Sequence, residues 1–140
     1  MDIRPITPAY SVSPQISVDD VPAIAKAGFV RVICNRPNAE VPPSHDTETI
    51  GAACREAGLD YQVLELTHQT MTPENVARQV EMIADAGGPV LAYCASGTRS
   101  TVAWALGSAG KMSADDILTK ARAAGYQIDQ LRPALQAQAS

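Results

Sequence analysis

The order of apolar segments along the chain predicts an α/β fold with a mostly parallel central sheet of about four to five strands and helices on both faces. Short runs of β-forming residues occur at 29–34, 60–66 and 90–93. Segments in which apolar residues recur at helical spacing stand between these runs. Because strands that alternate with helices pair in parallel through right-handed crossovers, this order favours one sheet covered by helices.

The first third of the chain is expected to contain a strand, a helix and a second strand. Prolines punctuate its first residues, and residues 9–13 are predicted to form an edge strand. Ser17 and Asp20 stand at capping-box spacing, which predicts a helix that ends at Gly28. The nearly continuous apolar run 29–34 is typical of an interior strand covered on both faces.

The rest of the chain continues the alternation. The predicted elements are a helix at 46–57, a strand at 60–66, a helix that begins at Pro73, a strand at 90–93, a helix that begins at Ser100, and helices at 113–125 and 129–136. In the helix that begins at Pro73, the expected buried stripe is Val76, Val80, Ile83 and Ala84. The loops after the parallel strands would meet at one edge of the sheet, which places Arg36 and His68 beside Cys94.

The segment from Cys94 to Ser100 is the predicted functional site. It links the apolar run 90–93 to a helix, and a loop in that position gathers backbone N–H groups at the positive end of the helix dipole. This potential stabilises anions and favours the thiolate form of a cysteine. Cys94 is therefore the candidate nucleophile, and Arg99 can supply a bidentate cation for an oxyanion. Ser100 can either hydrogen-bond the thiolate or cap the helix.

The residues between the cysteine and the arginine form the predicted substrate-binding loop, which consists of Ala95, Ser96, Gly97 and Thr98. Gly97 lets the backbone turn at a point where a side chain would block the anion. The alternative interpretation of the whole segment is a buried structural cysteine followed by an ordinary turn.

Length and composition limit the possible functions. The chain of 140 residues is expected to form one domain over residues 1–140, and its net charge of −4 argues against binding to nucleic acid or to an anionic membrane surface. No apolar run approaches the roughly 18 residues of a membrane helix, and residues 1–5 lack the apolar region of a secretory signal, so we expect neither feature. Its three cysteines lack metal-ligand spacing, so we expect a cytoplasmic protein that acts on a small anionic substrate without a metal or a cofactor. The oligomeric state stays open.

Four stretches of the sequence carry a resemblance to a known family, namely residues 12–15, 27–29 with 32–37, 89–94 and 97–100. Across residues 8–110 the chain resembles the bacterial phosphatase-like family of the beta-lactamase hydrolase-like proteins, whose domain also occurs fused to metallo-β-lactamase-type hydrolases. This family is similar to dual-specificity and tyrosine phosphatases, which implies a protein-tyrosine-phosphatase-like fold. The resemblance also implies that Cys94 attacks phosphorus, that Arg99 and the loop amides hold the phosphate oxygens, and that Ser100 helps the thiolate to leave.

The sequence departs from the phosphatase pattern in three places. Four residues rather than five separate Cys94 from Arg99, and Tyr93 stands where these phosphatases usually have histidine. The stretch 66–70, which matches the loop of their aspartate general acid, has no carboxylate. General acid catalysis contributes about 10²–10⁴-fold, so phosphate hydrolysis would be slow unless His68 replaces the aspartate.

Two other functions stay open. The shorter loop resembles that of rhodanese-type sulfurtransferases, in which Cys94 would carry a persulfide and no general acid is needed. The other alternative is a catalytically idle module that binds anions or partners. At the level of single residues, Arg36 can either bind the substrate anion or pair with Glu40, and Cys34 is either a core residue or a disulfide partner of Cys94.

Overall fold

A five-stranded sheet runs through the protein in the order β1-β2-β5-β3-β4. In the computed structural model, which describes residues 1–139, the strands are β1 Arg4–Thr7, β2 Tyr10–Ser13, β3 Arg31–Cys34, β4 Asp60–Val63 and β5 Val90–Tyr93. Strand β1 is antiparallel to β2, and the other three pairings are parallel. The prediction of an α/β fold with a mostly parallel sheet is confirmed.

Six helices lie within residues 1–139. They are α1 Val21–Lys26, α2 Thr47–Glu56, α3 Pro73–Ala84, α4 Thr98–Ser108, α5 Ala114–Ala123 and α6 Arg132–Ala139. The side chains of Asp46, Thr72 and Ser113 each accept a backbone N–H three residues ahead, at 2.8, 3.2 and 3.1 Å, and so satisfy a donor that the first turn leaves free. None of these helices combines the length and the apolar character that crossing a bilayer requires.

The edges of the sheet differ from the sequence-based expectation. The prediction of an edge strand at 9–13 is wrong, because β2 lies between β1 and β5 and all four of its residues are buried. The edge is β1 instead, where Pro5 has no N–H to offer a further strand. At the opposite edge, β4 ends at Val63, which is 42% exposed, rather than at residue 66.

Apolar side chains fill both faces of the sheet. Because successive strand residues point to opposite faces, Val90 and Ala92 of β5 pack with the helices α4, α5 and α6, whereas Leu91 and Tyr93 pack with α1 and α2. All four residues of β5 are buried, as expected for a central parallel strand. Helices therefore cover both faces, as the sequence predicts.

The buried face of α3 is only partly the predicted one. Val76 is buried, but Val80 and Ile83 are half-buried and Ala84 is exposed. The fully buried residue is Gln79, whose side chain amide bonds to that of Asn35. Polar pairing across the helix–sheet interface thus replaces part of the expected apolar stripe.

Candidate active site

The loops that follow the parallel strands β3, β4 and β5 meet at the carboxyl ends of these strands, and Arg99 forms hydrogen bonds with two of the loops. Its guanidinium donates through Nη1 to the carbonyl of Leu66 at 3.0 Å, in the loop after β4. Nη1 and Nη2 also donate to the two carboxylate oxygens of Glu40 at 2.9 and 2.7 Å, in the loop after β3. Arg99 itself lies in the first turn of α4, directly after the loop that follows β5. The predicted convergence of these loops at one sheet edge is therefore observed.

Cys94 lies at the end of β5 and has no exposed surface. Its Sγ accepts the backbone N–H of Gly97 at 3.1 Å. Gly97 has φ +96°, a left-handed conformation that side chains rarely adopt, and it immediately precedes the 11-residue helix α4. The sulfur thus faces a backbone donor at the positive end of a helix dipole.

Residues from other parts of the chain form hydrogen bonds to two carbonyl groups of the loop. The carbonyl of Ala95 accepts the backbone N–H of Gln15 at 3.2 Å. The hydroxyl groups of Ser96 and Thr98 lie 2.9 Å apart, and both side chains are exposed. The hydroxyl of Tyr126, which follows α5, donates to the carbonyl of Ser96 at 2.9 Å. The loop is therefore fixed to residues that lie far away in the sequence.

Two arginines share the carboxylate of Glu40. Arg36 Nε donates to Glu40 Oε1 at 3.2 Å, and Arg36 Nη1 donates to the side chain of Gln15 at 3.3 Å. The bidentate contact from Arg99, together with the weaker one from Arg36, holds the pKa of the Glu40 carboxyl below its usual range. The carboxylate in turn raises the pKa of Arg99, and the neighbouring sulfur of Cys94 adds to that effect. Of the two alternatives for Arg36, the pairing with Glu40 is the one that the structure contains.

Ser100 belongs to a buried polar network below the loop. Its hydroxyl donates to Asn35 Oδ1 at 2.8 Å, and its carbonyl accepts the hydroxyl of Tyr10 at 2.8 Å. The side chain amides of Asn35 and Gln79 bond to each other reciprocally at 2.9 and 3.0 Å, and Gln79 also donates to Tyr10 at 3.1 Å. This network ties β2, β3 and α3 to the start of α4. Sequence reasoning missed it, because each member is an ordinary polar residue on a different element.

His68 stands apart from this group. It follows Leu66 by two residues, its side chain is exposed, and it forms no hydrogen bond with the rest of residues 1–139. Tyr93, at the position that precedes the cysteine, bonds through its hydroxyl to that of Tyr61 at 2.8 Å, and burial raises its pKa. Among residues 1–139, the structure brings together Cys94, Arg99, Arg36 and Ser100, and His68 makes no hydrogen bond to any of them.

The other chemical features of this edge are simple. All three cysteines are free, and the Sγ of Cys34 donates to the carbonyl of Arg36 at 3.3 Å. Among residues 1–139, no three histidine, cysteine, aspartate or glutamate side chains are grouped as metal ligands would be. At the Cys94 loop the structure therefore combines the thiol of Cys94, a backbone donor and two guanidinium groups that share the carboxylate of Glu40, an arrangement that suits an anion.

Comparisons with known proteins find relatives over most of the chain. A family model for the phosphatase-like domain of the beta-lactamase hydrolase-like protein matches residues 2–111. A beta-lactamase hydrolase-like protein of Agrobacterium fabrum (strain C58) is 28% identical over 125 residues, which are 88% of this chain and 29% of that protein. Its counterpart from Xylella fastidiosa (strain Temecula1) is 31% identical over 132 residues, which are 91% of this chain and 30% of that protein. The chain spans less than a third of the length of these relatives.

Solved structures give the same picture at the level of the fold. A candidate phosphatase from Neisseria meningitidis Z2491 superposes with a TM-score of 0.88 at 31% identity, over 99% of both chains. PTPMT1 superposes with a TM-score of 0.75 at 15% identity, over 98% of this chain and 93% of its own. At that identity the second match shows a shared fold, which is the protein-tyrosine-phosphatase-like one expected from the sequence.

Proposed function

The chain belongs to the phosphatase-like domain family of the beta-lactamase hydrolase-like proteins, and from that premise we propose that it hydrolyses a phosphate ester through a phosphocysteine intermediate on Cys94. The observation that carries this proposal is the position of Cys94 Sγ, which accepts the Gly97 N–H at 3.1 Å where α4 begins. A thiolate at that point is stabilised by the same donors that would stabilise an incoming phosphate. A small phosphate ester is the proposed substrate.

In the first step the Cys94 thiolate attacks phosphorus in line with the leaving group. A bond between Sγ and phosphorus forms, the ester bond between phosphorus and oxygen breaks, and the leaving oxygen departs with the electron pair. The backbone donors of residues 95–98 and the guanidinium of Arg99 would hold the other phosphate oxygens.

In the second step water attacks the phosphocysteine. The bond between Sγ and phosphorus breaks, inorganic phosphate leaves, and the sulfur regains its electron pair as a thiolate. The proposed role of Ser100 is to hydrogen-bond that departing thiolate, which requires its hydroxyl to turn away from Asn35 Oδ1. Asn35 keeps its amide bonds to Gln79 during that rotation.

Substrate entry would exchange one anion for another. In the structure Glu40 occupies the fork of Arg99, and Cys94 has no exposed surface. Under this proposal the phosphate displaces the carboxylate from Arg99, while Arg36 can retain Glu40 through its own contacts. The bound carboxylate therefore stands where two phosphate oxygens would be.

The proposed reaction lacks a carboxylic acid that could protonate the leaving group, because residues 66–70 contain no carboxylate. An aryl phosphate leaves as a phenolate and needs little help from an acid, whereas an alkoxide needs a proton. We therefore propose aryl or similarly activated phosphates as the better substrates. His68 would have to turn inward from its exposed position to serve as the acid.

The decisive experiment measures phosphate release from p-nitrophenyl phosphate by the wild-type chain and by Cys94→Ser. We expect the substitution to abolish release and rapid acid quenching to trap a phosphorylated Cys94 in the wild type. Cys54→Ser, which changes a buried cysteine in α2, is the matched control and should retain activity. A wild-type chain that releases no phosphate at all would overturn the proposal.

A second candidate function, sulfur transfer, is favoured by the spacing of four residues between Cys94 and Arg99. In that reaction the sulfane sulfur of thiosulfate moves to Sγ as a persulfide, sulfite leaves, and cyanide then removes the sulfur as thiocyanate. A cyanide-labile sulfur on Cys94, with aryl phosphates left intact, would favour this function. If neither reagent modifies Cys94, the chain is an anion- or partner-binding module.

A further inference from the structure

Tyr126 touches the Cys94 loop from a part of the chain that lies outside the matched family domain. The family model ends at residue 111, whereas Tyr126 follows α5 and is only 6% exposed. Its hydroxyl donates to the carbonyl of Ser96 at 2.9 Å. The C-terminal segment, residues 112–139, thus reaches the proposed active site through one buried hydroxyl group.

The carbonyl that Tyr126 holds shares a peptide unit with the N–H that faces the sulfur. In a trans peptide the C=O and the N–H point in opposite directions. The C=O of Ser96 points to Tyr126, and the N–H of Gly97 points to Cys94 Sγ at 3.1 Å. A continuous path therefore runs from the Tyr126 hydroxyl through one peptide plane to the thiol.

Two further contacts fix the ring in this place. A Cβ on Gly97 would lie 2.0 Å from the Tyr126 hydroxyl oxygen, so the phenol fits against the loop only because residue 97 is glycine. On the other side, the guanidinium of Arg4 lies 5.1 Å from the centroid of the Tyr126 ring and donates to the carbonyl of Ala124 at 3.4 Å. The ring is held between strand β1 and the loop.

We propose that Tyr126 is a positioning residue for the reaction at Cys94, because its hydroxyl fixes the direction of the 96–97 peptide. Its effect on phosphate hydrolysis rests on the function proposed above, but its effect on the thiol does not. Without the hydroxyl, the Gly97 N–H contact with Sγ is the hydrogen bond left on this peptide, and a rotation of the peptide would turn the Ser96 carbonyl toward Sγ. A carbonyl oxygen there repels both a thiolate and an incoming anion, whereas the N–H attracts them.

The test compares Tyr126→Phe with the wild type, using iodoacetate and iodoacetamide as probes of Cys94. Because Cys94 has no exposed surface, both reagents need the same opening of the Cys94 loop to reach Sγ, and this shared step cancels in the ratio of their rates. A wild-type Cys94 that neither reagent modifies would also overturn the inference. Iodoacetate is an anion and iodoacetamide is neutral, so the ratio of their alkylation rates reports how well the loop receives an anion. We expect the ratio for Cys94, located by peptide mass, to fall about tenfold when one donor turns away. With p-nitrophenyl phosphate we expect a comparable fall in kcat, and urea unfolding should show a chain that is still folded.

Tyr61→Phe is the matched control, because it also removes a partly buried hydroxyl, one that bonds to Tyr93 rather than to the loop. We expect it to leave the alkylation ratio within about twofold of the wild type. Arg4→Met removes the cation above the ring but keeps the hydroxyl, and a smaller fall in the same direction is expected from it.

An unchanged alkylation ratio in Tyr126→Phe would overturn the inference, and so would an equal fall in Tyr61→Phe. If Tyr126→Phe does not fold, the comparison of Arg4→Met with the wild type decides in its place, and an unchanged ratio there counts against the inference. If the wild type releases no phosphate, the proposed function fails, while the alkylation ratios still show whether Tyr126 directs the loop.

Discussion

Replacing Gly97 by alanine tests how tightly the Cys94 loop is constrained. Gly97 has φ +96°, and a left-handed backbone costs a residue with a Cβ about 1–2 kcal/mol. Alanine also lowers the entropy of the unfolded chain, which offsets about 0.4–1 kcal/mol of that cost. Backbone strain alone therefore accounts for a loss of about 1 kcal/mol in the free energy of unfolding.

The contact with Tyr126 adds a second, larger cost. The new Cβ would lie 2.0 Å from the phenol oxygen and 2.8 Å from Cζ, so the buried ring must move away. This movement breaks the bond from Tyr126 to the Ser96 carbonyl, which is worth about 0.5–1.5 kcal/mol, and overpacking a filled site costs about 1–3 kcal/mol. We expect Gly97→Ala to lower the free energy of unfolding by about 4 kcal/mol in total.

Gly28→Ala separates these two costs. Gly28 has nearly the same backbone conformation, φ +99°, but an added Cβ there would meet nothing within 4 Å. Urea unfolding of both variants at one temperature gives their stabilities by linear extrapolation. We expect a loss of about 1 kcal/mol for Gly28→Ala, with hydrolysis of p-nitrophenyl phosphate retained, against the larger loss and an inactive loop for Gly97→Ala. Equal losses in the two variants would refute the steric argument.

Three further outcomes follow from the site. Arg99 and Arg36 hold the pKa of Glu40 below its usual range, so its ion pairs stabilise the fold above the ordinary carboxyl pKa of about 4.3. This stabilisation is lost as the pH falls and the carboxylate is protonated. In urea unfolding, the wild type should therefore be more stable than Glu40→Gln near neutral pH, and the difference should vanish in acid. Asn35→Ala leaves the buried side chain oxygen of Gln79 and the buried hydroxyl of Ser100 without their Asn35 partner, and the same assay should register a loss of about 2–4 kcal/mol. Alkyl phosphates should react about 10²–10⁴-fold more slowly than aryl phosphates in an inorganic phosphate assay. His68→Ala should leave the alkyl rate unchanged, because a measurable fall in that rate would assign His68 the acid role.

The helix starts and strands that depend on residues close together in the chain were predicted from the sequence. The capping residues before α2, α3 and α5 mark helix starts that the structure reproduces, and the apolar run 90–93 forms the buried strand β5. These features depend on residues within a few positions of each other. The position of β2 in the sheet depends instead on β1 pairing beside it, and a short segment that contains Pro5 gives little sign of a strand.

The environment of the loop could not be predicted, because it is built from distant pairs. Glu40 stands 59 positions before Arg99, and Tyr126 stands 30 positions after Ser96. Gln79 is a polar residue on an amphipathic helix, and in most sequences such a residue faces water. Only the fold places it opposite Asn35, where the two amides satisfy each other inside the protein.

Under the proposed function, the charges around Arg99 would let a phosphate enter a site that Glu40 closes. Two guanidinium groups, those of Arg36 and Arg99, share the one carboxylate of Glu40, so the group as a whole carries an excess of positive charge. In such an exchange the displaced Glu40 would stay paired with Arg36, so that neither charge is left without a partner. The exchange would therefore replace one bidentate contact of Arg99 by another, rather than break an ion pair outright.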